Sequence, residues 1–362
     1  MRLVLRIAVF TLPIITLIFS AKFHVASTGS QSSRAQRFLL QTATEADTVP
    51  PHLLLRPPPP PPPPHSDSAR PCEPLSARAV RETAEANAHG VTFVTFANAA
   101  QLDFALNWHQ HLSLLGLGRS ALLGATDEAT NRGLSAAGAR CFPLKSSIGA
   151  DEAKWGSPGF SHMGRTKALL VRTLLELNAT LLFADVDVVF LRDPLPYLGR
   201  QLAAHAQLLF HTDGFGSSPE AIAAQPPGLE TPSFGITPEM NTGLFLMAPA
   251  AAALAAAWCA ALDADGAFSN WKNDQQALNQ LLRRGLVAPP ASDARKLMAA
   301  YGGSLQLGLL PNHLFPSGHL FFIQRALHRL GATPVAVHLT FQNCDQSGKR
   351  HRMREGGLWL VD

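Results

Sequence analysis

The chain has 362 residues, 46% of them hydrophobic, and a mean hydropathy of +0.07. That supplies a sizeable core and excludes a globally disordered protein. A net charge of +4 without any long Lys/Arg block leaves no electrostatic footprint for nucleic acid.

Arg2 and Arg6 precede an apolar run over residues 7–21. Counted from Leu3, it approaches the roughly 17–25 residues that cross a bilayer. Residues 1–21 are therefore expected to be a short cytoplasmic tail and a signal-anchor helix. The rest of the chain would enter the secretory lumen. A cleaved signal peptide, with Val25-Ala-Ser27 as the cleavage site, is the other reading. Residues 22–88 read as a disordered stem rich in Ser, Thr, Ala and Gln. Its unbroken proline run at 57–64 has no N–H donors and a fixed φ, so it forms an extended polyproline II spacer.

The globular domain is expected over residues 89–362. A β-branched and aromatic strand covers 91–96, and a helix follows over 102–115. A second strand is expected at 119–124, and a short helix over 135–142 leading into a third. The apolar spacing predicts a strong helix over 164–177 and a buried strand over 179–183. Alternating strands and helices imply an α/β fold with a largely parallel sheet covered on both faces. Ligands of such sheets sit at the carboxyl ends of the strands. Beyond Arg192 the pattern loosens, and residues 212–238 read as a long Gly/Pro/Ser-rich loop over the site. A short strand at 244–248, helices at 250–262 and 274–282, a late strand at 335–339 and a basic, Gly-containing loop complete the series. Asn178-Ala-Thr180 is a glycosylation sequon at a helix-to-strand turn. Cys72, Cys141, Cys259 and Cys344 are too scattered for a zinc knuckle. They allow two bridges in three connectivities, or buried free thiols.

The main chemical signal is the strand at 181–184, which delivers Asp185 and Asp187 at its carboxyl end, with apolar residues resuming at once. Burying two like charges there is costly unless a cation neutralises them. Carboxylate oxygens suit Mg²⁺ or Mn²⁺, and such an ion can bridge a diphosphate. Asp263-Ala-Asp265 repeats the spacing in an Ala-rich helical context and reads as a solvated helix end. Haloacid-dehalogenase-type phosphatases also place D-x-D-x-V after a strand, with the first Asp as nucleophile. That chemistry wants an early strand and a later acidic pair. Here a strand–helix unit precedes the motif, and no adjacent acidic pair follows.

Several segments in this order resemble the nucleotide-diphospho-sugar transferases of plants and algae, which include arabinosyltransferases of hydroxyproline-rich glycoproteins and pectin xylosyltransferases. They are Phe183-Ala-Asp-Val-Asp-Val-Val-Phe-Leu-Arg-Asp-Pro194, Met240-Asn-Thr-Gly-Leu-Phe245, Asn273-Asp-Gln-Gln-Ala-Leu-Asn279, Val337-His-Leu-Thr-Phe-Gln342 and Gly348-Lys-Arg-His-Arg-Met-Arg-Glu355. The resemblance covers about residues 90–362. It implies a GT-A-like, Rossmann-type mixed sheet, a UDP-sugar donor, Mn²⁺ (or Mg²⁺), a glycan or glycoprotein acceptor, retention of configuration and a Golgi location. It also implies roles. Asp185, Asp187 and His338 would hold the metal, with Asp185 contributing through the ribose or a metal-bound water. Lys349, with Arg350 nearby, would meet the diphosphate. Asn241, Asp274 and Gln275 would hold the reacting sugar. Thr95, Phe96 and Asn98 would face the nucleotide, and Lys167 would reach the phosphates or carboxylates, with Arg165 beside it. Relatives continue past Trp359-Leu-Val-Asp362, so the last sheet element is expected to be incomplete. The Gly/Pro content of residues 212–238 departs from the pattern and leaves acceptor choice open.

Overall fold

The computed structural model describes residues 71–146, 148–149, 151, 157–214, 228–230, 239–264, 273–342 and 345–361. Contacts divide the chain into two units, Met1–Thr44 and Glu45–Asp362. The first unit, which includes the expected membrane anchor, and the proline run lie outside the described residues. Among the described residues no helix is long and apolar enough to cross a membrane.

The described residues of this unit begin earlier than residue 89. Helix α1, Ala77–Glu85, lies inside the span expected to be a disordered stem. Ser76 caps it by accepting from the Ala79 N–H, and Val80 and Thr83 are buried on its inner face. A disulfide from Cys72 to Cys141 ties this segment to the sheet edge. Cys259 is a buried free thiol, and Cys344 lies outside the described residues.

Strand β1, Val91–Ala97, and helix α2, Leu102–Leu114, match expectation. Strand β2 is Ala121–Ala125. The next helix, α3, is Glu128–Ala136, earlier than expected, because Asp127 accepts from the Thr130 N–H and nucleates it there. Strand β3, Cys141–Pro143, follows. Helix α4, Pro158–Glu176, also starts earlier, at a Ser157 cap with Pro158 in its first turn. Then come β4 (Thr180–Ala184), β5 (Val188–Phe190), α5 (Leu195–Ala203), β6 (Leu208–Thr212) and β7 (Met240–Met247). They are followed by α6 (Ala252–Ala264), α7 (Asp274–Leu282), β8 (Met298–Ala300), β9 (Leu305–Leu309), α8 (Ala326–Leu330) and β10 (Ala336–His338). The basic segment expected to be a loop is helix α9, Asp345–Glu355.

The sheet is mixed rather than largely parallel. Its order is β3-β2-β1-β4-β7-β6-β9-β8. Strands β3, β2, β1 and β4 run parallel, and β7 enters antiparallel between β4 and β6. Strand β9 is parallel to β6, and β8 is antiparallel at the outer edge. A separate antiparallel pair joins β5 to β10. The reversal of β7 brings its first residues to the edge where β4 and β6 end. Phe183, Phe245 and Phe210 lie in register across β4, β7 and β6, with successive rings stacked at 5.2 Å. Each such pair contributes about 0.5–1.5 kcal/mol beyond area burial, which fixes the register of the strands that carry the site.

The Cys72–Cys141 bridge closes a span of 69 residues, so it constrains the unfolded chain strongly. Replacing both cysteines by serine should cost about 2–4 kcal/mol in urea denaturation. The far-ultraviolet spectrum should stay unchanged.

Candidate active site

Strand β4 ends at Ala184, and the Asp185 N–H extends its ladder to the Gly243 carbonyl at 2.7 Å. A turn from Asp185 to Val188 reverses the chain into β5. Strand β5 pairs with β10 so that His338 lies opposite Val188, and the Leu339 N–H donates to the Asp187 carbonyl at 3.2 Å. Backbone pairing alone thus brings His338 to the two carboxylates, although about 150 residues separate them in the chain. His338 Nε2 lies 3.5 Å from Asp187 Oδ1. One donor atom from each of Asp185, Asp187 and His338 falls within 4.8 Å of the others. Asp187 and His338 are buried, and Asp185 is half-exposed.

Gly243 leaves the space this cluster occupies. A Cβ there would stand 2.6 Å from His338 Nε2 and 2.7 Å from Asp185 Oδ2. Two hard carboxylates and an imidazole nitrogen around a space that a methyl group would fill fit Mn²⁺ or Mg²⁺.

Two lysines balance the carboxylates. Lys349, on α9, donates to Asp187 Oδ2 at 2.6 Å. Burial opposes ionisation of Asp187, yet Lys349 and His338 hold its carboxyl far below the usual range. Burial likewise disfavours the Lys349 ammonium, and Asp187 more than offsets it, so its pKa stands above the ordinary value. Lys167, buried on α4, lies 2.9 Å from Asp185 Oδ1, 3.6 Å from Asp274 Oδ2 and 3.0 Å from the Thr242 carbonyl. Burial lowers its pKa, but Asp185 and Asp274 raise it further, and it stays charged. Two ammonium groups against Asp185, Asp187 and Asp274 leave one negative charge in excess, a balance that favours a cation.

The opening of β7 and the start of α7 form a connected polar wall. Asn273 and Gln276 make a reciprocal capping box that fixes the first turn of α7. Asp274 accepts from the Thr242 hydroxyl at 2.8 Å, and the Trp258 indole donates to its carbonyl. Gly164 lets α4 approach, since a Cβ there would come within 2.7 Å of the Asp274 Cβ. Asn241 donates to Asp213 Oδ1 at 2.7 Å and accepts from the Gly243 N–H. Gln275 donates to Asp213 Oδ2 at 2.8 Å and Glu239 Oε2 at 3.0 Å, while accepting from the Thr242 N–H. Asp213 and Glu239 carry no signal in the sequence, because β6, which ends at Thr212, lacks a strand's alternation.

Strand β1, parallel to β4, presents Thr95 and Asn98 at the same edge. Thr95 Oγ1 and Asn98 Oδ1 are buried with no hydrogen-bond partner, while Asn98 Nδ2 holds the Gly149 and Asp151 carbonyls at 2.9 and 2.8 Å. Phe96 instead packs into the core, 6.2 Å from the Phe183 ring. Arg350 turns away from Lys349 to pair with Asp103 at 2.6 Å, between the Phe104 and Trp359 rings. It therefore belongs to the α2–α9 contact rather than a phosphate site. Arg165 pairs with Asp263, so the first carboxylate of the second D-x-D belongs to a helix-end ion pair. Asp265 lies outside the described residues.

A family model described as nucleotide-diphospho-sugar transferase matches residues 117–353, a span that contains the acidic strand end, the polar wall, His338 and Lys349. This chain belongs to the nucleotide-diphospho-sugar transferase family. The family is one of glycosyltransferases. The chain is 37% identical over 272 residues to the arabinosyltransferase XEG113 of Arabidopsis thaliana, covering 74% of this chain and 39% of that one. It is 26% identical over 218 residues to UDP-D-xylose:L-fucose alpha-1,3-D-xylosyltransferase 3 of the same plant, covering 58% and 50%. The chain thus spans half or less of the length of these two relatives. Among solved structures, the glycosyltransferase GlyE of Streptococcus pneumoniae TIGR4 is 15% identical, with 75% of this chain and 60% of that one covered and a TM-score of 0.41.

The ion pair and the cradle make separate predictions. Lys349→Met leaves Asp187 buried without its cation and should destabilise the metal-free protein by about 3 kcal/mol. Mn²⁺ should restore most of that loss in thermal denaturation, because the ion takes over the neutralisation. Gly243→Ala should abolish Mn²⁺-dependent stabilisation while leaving the circular dichroism of the sheet intact.

Proposed function

We propose that the protein is a glycosyltransferase of GT-A type. It transfers arabinose, xylose or galactose from a UDP-sugar to a glycan or a hydroxyproline-rich glycoprotein. The observation that carries this reading is the convergence of Asp185, Asp187 and His338 beside Lys349 at one edge of the sheet. Both named plant relatives transfer a pentose, which supports a pentose donor. Asp185, Asp187 and His338 would hold Mn²⁺. When bound, the ion supplies a Lewis acid that neutralises charge on a departing diphosphate.

The protein's own groups do the rest. Lys349 places a second positive charge where the leaving diphosphate develops negative charge. The unpaired oxygens of Thr95 and Asn98 accept hydrogen bonds from the nucleoside. Asn241 and Gln275, pinned by Asp213, hold hydroxyls of the donor sugar. Asp274 holds Thr242 and Lys167 in place beside that sugar. Each hydrogen bond anchors a neighbouring group, so the wall is preorganised and needs no rearrangement as the glycosidic bond breaks. Attack by the acceptor from the face the leaving group occupies would retain the anomeric configuration. We further read residues 1–21 as a type II signal anchor and the proline run as a spacer, with the catalytic domain in the Golgi lumen.

UDP release by the full chain, measured across UDP-arabinose, UDP-xylose and UDP-galactose, tests the reading. Release should come from one donor, require Mn²⁺ and disappear in Asp187→Asn. Release that persists in chelator or in that variant contradicts the metal site. UDP binding without turnover on any donor and acceptor would mark a binding module instead.

A further inference from the structure

His211 lies in β6 and is completely buried, and neither ring nitrogen has a partner in good hydrogen-bond geometry, the Phe315 backbone alone lying beside the ring. Its strand neighbours Leu208 and Phe210 pack on one side of the sheet, and Leu209 packs on the other. Alternation therefore turns His211 toward the side of Leu209, where Val337 and Leu339 flank His338. The His211 and His338 ring centroids are 5.4 Å apart. His338 Nδ1 is buried and also has no partner. Two adjacent buried imidazoles whose facing nitrogens lack a partner are unusual in a folded core.

The two vacant sites answer each other. His338 turns Nε2 toward Asp187 and toward the space left by Gly243. A histidine that ligates through Nε2 carries its proton on Nδ1, and that N–H normally donates to an oriented acceptor. We propose that His211 is the positioning residue for His338, accepting the Nδ1–H hydrogen bond when His338 ligates a metal through Nε2. Two imidazoles joined by an N–H···N bond have centroids about 5 Å apart, so the observed separation already suits the contact. A half-turn of the His211 ring exchanges nitrogen and carbon positions, which lets one nitrogen face His338 Nδ1 and the other the Phe315 carbonyl. The Phe315 backbone carbonyl lies beside His211 and offers an acceptor for its other nitrogen. The arrangement would fix both the tautomer and the rotamer of His338. This inference rests on the metal-site reading given above.

The test is Mn²⁺ titration of the full chain in the presence of UDP, for wild type and His211→Phe. Phenylalanine keeps a ring of similar size and removes both nitrogens. The variant should bind Mn²⁺ roughly 10–100-fold more weakly, while its metal-free thermal midpoint stays close to that of the wild type. A folded variant with the wild-type Kd overturns the role of His211 and leaves the metal site standing. No Mn²⁺ binding by the wild type takes both down. Should the variant fail to fold, nitrogen-15 spectra of the Mg²⁺-bound wild type decide the matter. The His338 Nδ1 proton should couple across a hydrogen bond to a second imidazole nitrogen, and its absence overturns the proposal.

Discussion

Asp185 and Asp187 stand one residue apart at the end of a buried strand, and the site is organised around neutralising them. Water is largely excluded from Asp187, so its charge persists only because Lys349 and His338 face it. Lys167 lies 2.9 Å from Asp185 and reaches on to Asp274 at 3.6 Å. A glycine is required at 243 because a side chain would occupy the space between the imidazole and the carboxylate. Removing any one of these groups leaves an uncompensated charge or a filled cradle.

Topology makes the convergence possible. A wholly parallel sheet would carry the Asn241-Thr242-Gly243 segment to the opposite edge. Inserting β7 antiparallel between β4 and β6 returns it to the edge where Asp185 and Asp213 emerge. The stacked Phe183, Phe245 and Phe210 hold those strands in register. The β5–β10 pair then adds His338, and α9 adds Lys349, held against α2 by Arg350, Asp103 and the Trp359 ring. Rigid elements thus supply the principal charged groups, which suits a reaction that depends on charges fixed in advance.

Asp185 and Asp187 were legible because an apolar strand pointing two carboxylates at its carboxyl end has few structural explanations. His338, Lys349, Asn241, Asp274 and Gln275 carried no comparable local signal, and only their order along the chain marked them. Helix α9 has the sequence of a basic loop, since its one buried side chain, Met353, gives no apolar stripe. Strand β6 carries no strand signature, since Leu208-Leu209-Phe210-His211-Thr212 is short and buried on both faces and lacks alternation. His211, Asp213 and Glu239 were hidden with it. Helix α1 was lost in a stem whose composition is set by its neighbours, and the Cys72–Cys141 pairing depends on a contact that spacing cannot reveal. Phe96, by contrast, sits at the edge as expected but turns inward to Phe183.

In the proposed site an imidazole and two carboxylates hold one divalent ion. Electron spin echo envelope modulation of Mn²⁺ bound to the full chain in the presence of UDP tests it directly. The account predicts modulation from a directly coordinated imidazole nitrogen in the wild type and its loss in His338→Gln. Bound Mn²⁺ without imidazole modulation in the wild type would contradict it.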